Sequence, residues 1–232
     1  MDLGMSKELR EKIIEADNFY KLLEKKINEH LIVSKKDGKE ILFAKHCHLG
    51  LEHYLAIVTL LHFKINGSAF ALLRCLFESF VRAVRFFYDE KVSQVDSSVD
   101  ISMKDVMNIS GLLKGNLLKG NKSIPEFVKR TFERVLEDRV VDSGTKTIWG
   151  WMCSYNHGGL AQISRRATSD FIESNFSEEE VTQLISLAVW FVRDIFILMF
   201  HVSEKNDVLN KDQDFLEKME CFLDNLGLKD SN

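Results

Sequence analysis

The stretch Ser68-Ala69-Phe70-Ala71-Leu72-Leu73-Arg74-Cys75-Leu76-Phe77-Glu78-Ser79-Phe80-Val81-Arg82-Ala83-Val84-Arg85-Phe86-Phe87-Tyr88 is apolar at almost every position outside one charged row. A helix apolar nearly all round its circumference belongs at the centre of a fold, covered by other elements. Ser68 is placed to cap it, just after the corner made by Asn66-Gly67. Positions four apart on a helix lie about 40° apart in azimuth. Arg74, Glu78 and Arg82 therefore share one row roughly 12 Å long, and Arg85 extends it.

Working outward, a helix from about Glu40 to Lys64 precedes the central one and grows more apolar toward its end. Before it, Leu9, Ile13, Ala16, Tyr20, Leu23, Ile27 and Leu31 recur at steps of three and four, the apolar face of a long first helix. Downstream, residues 89–122 are more polar and hold the tandem Leu112-Leu113-Lys114-Gly115-Asn116 and Leu117-Leu118-Lys119-Gly120-Asn121, which reads as a surface excursion. Ser123-Ile124-Pro125-Glu126 is a helix start, with Ser as cap and Pro in the first turn. The helix it opens runs to about Asp138, and Thr145 to His157 forms the next, broken by Gly158-Gly159. Ser177-Glu178-Glu179-Glu180 is a capping box for a long apolar helix to about Val202, and an amphipathic helix within 207–232 closes the chain.

Only one Pro and 12 Gly punctuate the sequence, too few for a chain that reverses direction every few residues. The expectation is all-α: a single helical domain over 1–232, a bundle of about six to eight helices. A formal charge of -4 excludes a whole-surface electrostatic grip on nucleic acid, leaving only a local patch for such contact. Cys47, Cys75, Cys153 and Cys221 lie far apart with no metal-finger spacing, which suits free thiols in a cytoplasmic protein without disulfides or zinc. The opening MDLGMSKELREK lacks the apolar core of a signal peptide. Leu184 to Val202 is long and apolar, but Arg193 and Asp194 at its centre favour a protein core that pairs them over a lipid span.

Two constellations carry chemistry. The first is the Arg74/Glu78/Arg82 row: burying it costs several kcal/mol per ion unless each charge is paired. It reads either as a ladder tying helices together or as a cleft where two guanidiniums meet a phosphate or carboxylate and Glu78 orients them. The second is Tyr155-Asn156-His157-Gly158-Gly159: two glycines let backbone approach a ligand, and an imidazole moves a proton near neutral pH. Its plainer reading is a helix C-cap with a packed histidine. Arg165 and Arg166 follow as a basic patch able to guide a phosphate backbone. His46, His48, Glu52 and His53 match no metal-ligand motif, and His46 or His53 instead reads as a polar partner for the Arg74/Glu78 row. Gly115 to Ser123 nearly spells a phosphate loop, but Asn121 breaks its spacing.

Arg74-x-x-x-Glu78 on an apolar helix followed by Tyr155-Asn156-His157-Gly158-Gly159 resembles a family of uncharacterised bacterial all-helical proteins with an LhRxxhE helix and a YxHGG segment. More distantly it resembles the HEPN superfamily of helical proteins, many of which are metal-independent ribonucleases of toxin–antitoxin and antiviral defence systems acting as dimers. That superfamily carries an Arg shortly before its His, whereas residues 151–156 read Trp-Met-Cys-Ser-Tyr-Asn, so Arg74 or Arg82 would take its place. The resemblance implies a cytoplasmic homodimer acting on RNA or a nucleotide without metal or other cofactor and without a membrane. In it His157, Arg74, Arg82 and Glu78 are catalytic, while Tyr155, Asn156, Gly158, Gly159, Arg166 and His53 bind substrate. The alternative is a non-catalytic nucleotide- or protein-binding helical module that uses the same cleft or docks through its first and last helices.

Overall fold

The computed structural model describes residues 5–31, 38–88, 124–137, 147–156, 163, 165–166 and 175–226. Among them lie eight helices and no strand: α1 (Lys7–His30), α2 (Gly38–His62), α3 (Asn66–Tyr88), α4 (Glu126–Glu137), α5 (Ile148–Asn156), α6 (Glu178–Val202), α7 (Asn206–Lys211) and α8 (Gln213–Asn225). The architecture is the all-α bundle expected from the periodicity. The proposed excursion at 89–122 lies outside the described residues, as do His157, Gly158 and Gly159.

Ser6 caps α1, its hydroxyl accepting the Leu9 N–H at 3.1 Å. The helix buries Leu9, Ile13, Ala16, Phe19 and Leu23. The apolar spacing pointed to Tyr20, but Phe19 occupies the core. Tyr20 remains half-buried with its hydroxyl 3.4 Å from Glu24 Oε1, where the polar end of its ring stays near water.

The corner between α2 and α3 is closed by backbone. Ile65 N–H donates to Leu60 O at 2.8 Å and Lys64 N–H to Leu61 O at 3.0 Å, with Lys64 at φ 59°. This is the paired closure that usually places glycine at the left-handed position. Ser68 is not the cap of α3: the helix begins at Asn66, and Ala69 N–H donates to Ile65 O at 3.2 Å, so Ser68 is an exposed residue inside the first turn. The same closure ends α6, where Lys205 N–H reaches Phe200 O at 3.0 Å and Glu204 sits at φ 56°.

The Ser177 capping box is formed as read: Ser177 Oγ accepts the Glu180 N–H at 3.1 Å, and Glu180 Oε2 accepts the Ser177 N–H at 2.9 Å. At α5, Thr147 Oγ1 accepts the Gly150 N–H at 3.1 Å, so the helix starts at Ile148, three residues later than its sequence suggested.

α3 is central and packs on α2, α5 and α6. Phe77 gathers rings from three other helices, with centroids 5.7 Å from Phe132, 5.8 Å from Trp149 and 5.1 Å from Phe191. Gly50 brings α2 close to α6, since a Cβ there would lie 2.4 Å from Ile195 Cδ1. By length and composition α6 could cross a membrane, yet 78% of its apolar window is buried against other helices.

The last two helices return to the first. Asp212 caps α8 by accepting the Phe215 N–H at 3.0 Å, and its carboxylate pairs with Lys26 of α1. Phe222 meets Phe19 edge-on at 5.8 Å. At the opposite end of α1, Ser6 N–H donates to Glu178 Oε1 at 2.7 Å.

Candidate functional site

The four-residue spacing on α3 turns one row of charges toward α2 and α5. Arg74 donates its Nε–H to Glu78 Oε1 at 2.6 Å, with the two side chains 11% and 17% exposed. The Arg74 guanidinium also lies 5.3 Å from the Trp149 ring of α5, a cation–π contact that covers it. The pair is thus desolvated on the protein side and open at its edge.

α2 supplies the facing polar groups. His53 is half-buried, and burial lowers its pKa while the carboxylates of Glu52 and Glu78 act in the opposite sense. About two turns back along α2, His46 stacks flush on Phe86, with centroids 5.1 Å apart and planes 10° apart. Burial, reinforced by the charge of Arg82, holds its pKa down to about 4, so the imidazole is neutral at pH 7. His46 Nδ1 is a buried atom without a hydrogen-bond partner among the described residues.

Two thiols border the pair. Burial raises the pKa of both Cys75 and Cys153, and each also feels the opposed charges of Arg74 and Glu78. Protonated and half-buried, they are poor nucleophiles at neutral pH.

A second polar group sits toward the start of α3. Arg165 Nη2 and Nε both donate to Glu180 Oε1, at 2.6 and 2.9 Å. Tyr155 is buried, stacked on Phe70 at 4.6 Å, and its hydroxyl bonds with Arg165; burial first, then the charge of Glu180, pushes its pKa up to about 12. Glu180 therefore serves both as capping residue and as partner of Arg165, a role its sequence neighbourhood did not reveal. Arg166 is exposed and lies over Gly67, where an added Cβ would approach Nη2 to 2.3 Å. That position is about 10 Å along α3 from Arg74.

A third polar group is buried between α4 and α6. Asp194 is fully buried and accepts from Arg193 Nε and Nη2 at 3.0 and 2.9 Å and from the Thr131 hydroxyl. Trp190 Nε1 donates to Thr131 Oγ1 at 2.8 Å, and its ring lies between two guanidiniums, 4.3 Å from Arg134 and 4.2 Å from Arg193. The pairing of Arg193 with Asp194 is the one demanded by their place in an apolar helix. Thr131, Arg134 and Trp190 were not legible beforehand.

Of the residues singled out from the sequence, the fold brings together Arg74, Glu78 and His53, with Trp149 and Cys153 as neighbours not assigned to the site. Arg82 lies two turns further along α3 beside His46. Tyr155 and Arg166 lie toward the other end, and Asn156 is the last residue of α5, leading into 157–159. Among the described residues no three of His, Cys, Asp and Glu converge to hold a metal ion.

Residues 47–221 match the profile of a family described as a family of unknown function (DUF6988), a span that includes the Arg74–Glu78 pair, His53, Trp149 and the Tyr155 segment. No curated protein and no solved structure matches the chain.

Proposed function

We propose, for a chain that belongs to the DUF6988 family of unknown function, a HEPN-like helical protein that acts as a metal-independent endoribonuclease of a bacterial toxin or phage-defence system. One observation carries this reading: the helix bearing Arg74 and Glu78 packs on the helix that leads into Tyr155-Asn156-His157, with Arg74 over Trp149 and Phe70 stacked on Tyr155. The first motif and the described part of the second, Tyr155 and Asn156, about eighty residues apart in sequence, thus lie on adjoining helices.

In this reading His157 takes the proton of a ribose 2′-hydroxyl and the oxygen attacks the adjacent phosphorus. The bond from phosphorus to the 5′-oxygen breaks, leaving a 2′,3′-cyclic phosphate, and the departing oxygen takes a proton from water. Arg74 or Arg82 neutralises charge developing on the phosphoryl oxygens, and Glu78 holds Arg74 in place. Asn156, Gly158, Gly159 and Arg166 steer the substrate backbone.

The test is incubation of wild type and His157→Ala with mixed cellular RNA in EDTA, followed by mapping of new 2′,3′-cyclic phosphate ends. Cleavage by wild type alone supports the reading; equal cleavage by both, or by neither, removes it. A second reading, a non-catalytic nucleotide- or protein-binding module, is favoured by the way Arg74 commits its Nε to Glu78 and its face to Trp149. Saturable nucleotide binding without turnover, lost in Arg82→Ala, distinguishes it.

A further inference from the structure

The seam between α2 and α3 carries a two-layer aromatic stack near the end of α3. His46 of α2 lies flush on Phe86 of α3, with ring centroids 5.1 Å apart and planes 10° apart. Phe86 is the inner layer, 8% exposed, and its neighbour Phe87 is held against Phe43 at 5.6 Å. His46 is the outer layer and is only half-buried. Arg82, one helical turn before Phe86 on the same face of α3, supplies the charge felt at the imidazole. Lys45, the residue before His46, is exposed.

A histidine kept for hydrogen bonding or proton transfer has its ring nitrogens partnered. Here Nδ1 is buried without a partner among the described residues, and a buried polar atom left unpaired is a cost that calls for a reason. Burial and the charge of Arg82 keep the ring neutral at pH 7. The contact that orients it is the stack on Phe86. A flat neutral ring, backed by a buried ring and bordered by cationic side chains, suits one class of ligand. Aromatic faces of this kind hold unpaired nucleobases, while neighbouring cations meet the phosphate.

We propose that His46 is the stacking platform for the base of a bound nucleotide, with Arg82 and Lys45 on the side of its phosphate. The proposal rests on the reading that this cleft takes RNA or a nucleotide, and adds to it the place where the base is held. The row from Arg74 to Arg82 is roughly 12 Å long, so the platform stands at one end of it and the Arg74–Glu78 pair at the other.

The experiment is a fluorescence titration in EDTA of wild type, His46→Phe and His46→Leu, with circular dichroism melts alongside. The probes are 2-aminopurine ribonucleoside 5′-monophosphate and a short single-stranded RNA carrying one 2-aminopurine, a base whose emission is quenched by stacking. Phe keeps a ring in place of the imidazole, whereas Leu fills the space without an aromatic face. The expected result is saturable quenching with wild type and His46→Phe, and an affinity about tenfold or more weaker in His46→Leu, with the two variants melting alike. Tighter binding of the RNA assigns the base to a strand and equal binding assigns it to a free nucleotide; both support the platform. An affinity indifferent to His46→Leu, a loss shared equally by the folded Phe and Leu variants, or no quenching with wild type overturns it. Mapping of cleavage ends separates the platform from the ribonuclease reading. RNA cut by wild type without quenching removes the platform and leaves the ribonuclease. Quenching that His46→Leu weakens, without cleavage by wild type, removes the ribonuclease and leaves the platform.

Discussion

Asp194 binds its own sequence neighbour, accepting Arg193 Nε at 3.0 Å and Nη2 at 2.9 Å. Adjacent helix positions ordinarily point apart, so the long Arg193 side chain has to fold back along α6 to reach it. The arrangement keeps both charges inside one helix and leaves Asp194 free to accept Thr131 from α4 as well. Removing one partner of a buried ion pair costs about 3–5 kcal/mol. Asp194→Ala should therefore be among the most damaging single substitutions in the described core, and urea denaturation should show a midpoint far below that of wild type.

Glu78→Ala should cost less, about 2 kcal/mol, because the Arg74–Glu78 pair is 11% and 17% exposed and Trp149 continues to cover the guanidinium. A second readout isolates the charge. The Glu78 carboxylate raises the pKa of His53, so Glu78→Gln should move the His53 titration to lower pH in an NMR series.

Lys64 and Glu204 occupy left-handed backbone, at φ 59° and 56°, in positions where glycine carries no steric penalty. Lys64→Gly and Glu204→Gly should each stabilise the fold by about 0.5–1 kcal/mol, partly offset by added freedom in the unfolded chain. Differential scanning calorimetry should register a rise of about 2–4 °C for the larger gain.

His46 makes the protein acid-sensitive. Its pKa falls from 6.5 to about 4 on folding, so between those values the unfolded chain binds more protons than the native one. Stability therefore drops as pH falls through that window and levels off below it. After solvent screening the loss is roughly 1–3 kcal/mol. His46→Phe should flatten that part of the stability profile in chemical denaturation between pH 7 and pH 4.

What the sequence disclosed follows the range of the interactions. Ser177 to Glu180 could be read because a capping box is complete within four residues, and Arg74 with Glu78 because one helical turn joins them. Phe19 in place of Tyr20 shows the limit of periodicity: both fit the apolar stripe, and only packing decides which ring is covered. Ser68 failed as a cap because the backbone closure at Leu60–Ile65 had already ended α2 and set where α3 begins. Trp149 over Arg74, Thr131 on Asp194 and Glu180 on Arg165 join residues far apart in the chain. No local pattern announces such partners.

The attachment of α1 also bears on when the fold can be reached. Its two ends are tied to distant elements, Ser6 to Glu178 and Lys26 to Asp212, and Phe19 finds an edge of its covering in Phe222. α2 gives α1 part of its covering early, with the Tyr54 hydroxyl donating to Ala16 O at 2.8 Å, but the remainder waits until residues up to about 222 have been synthesised. Contacts of such long sequence separation slow folding and lengthen the exposure of nascent apolar surface. Half-covered until α8 arrives, α1 is a segment with much to gain from a chaperone.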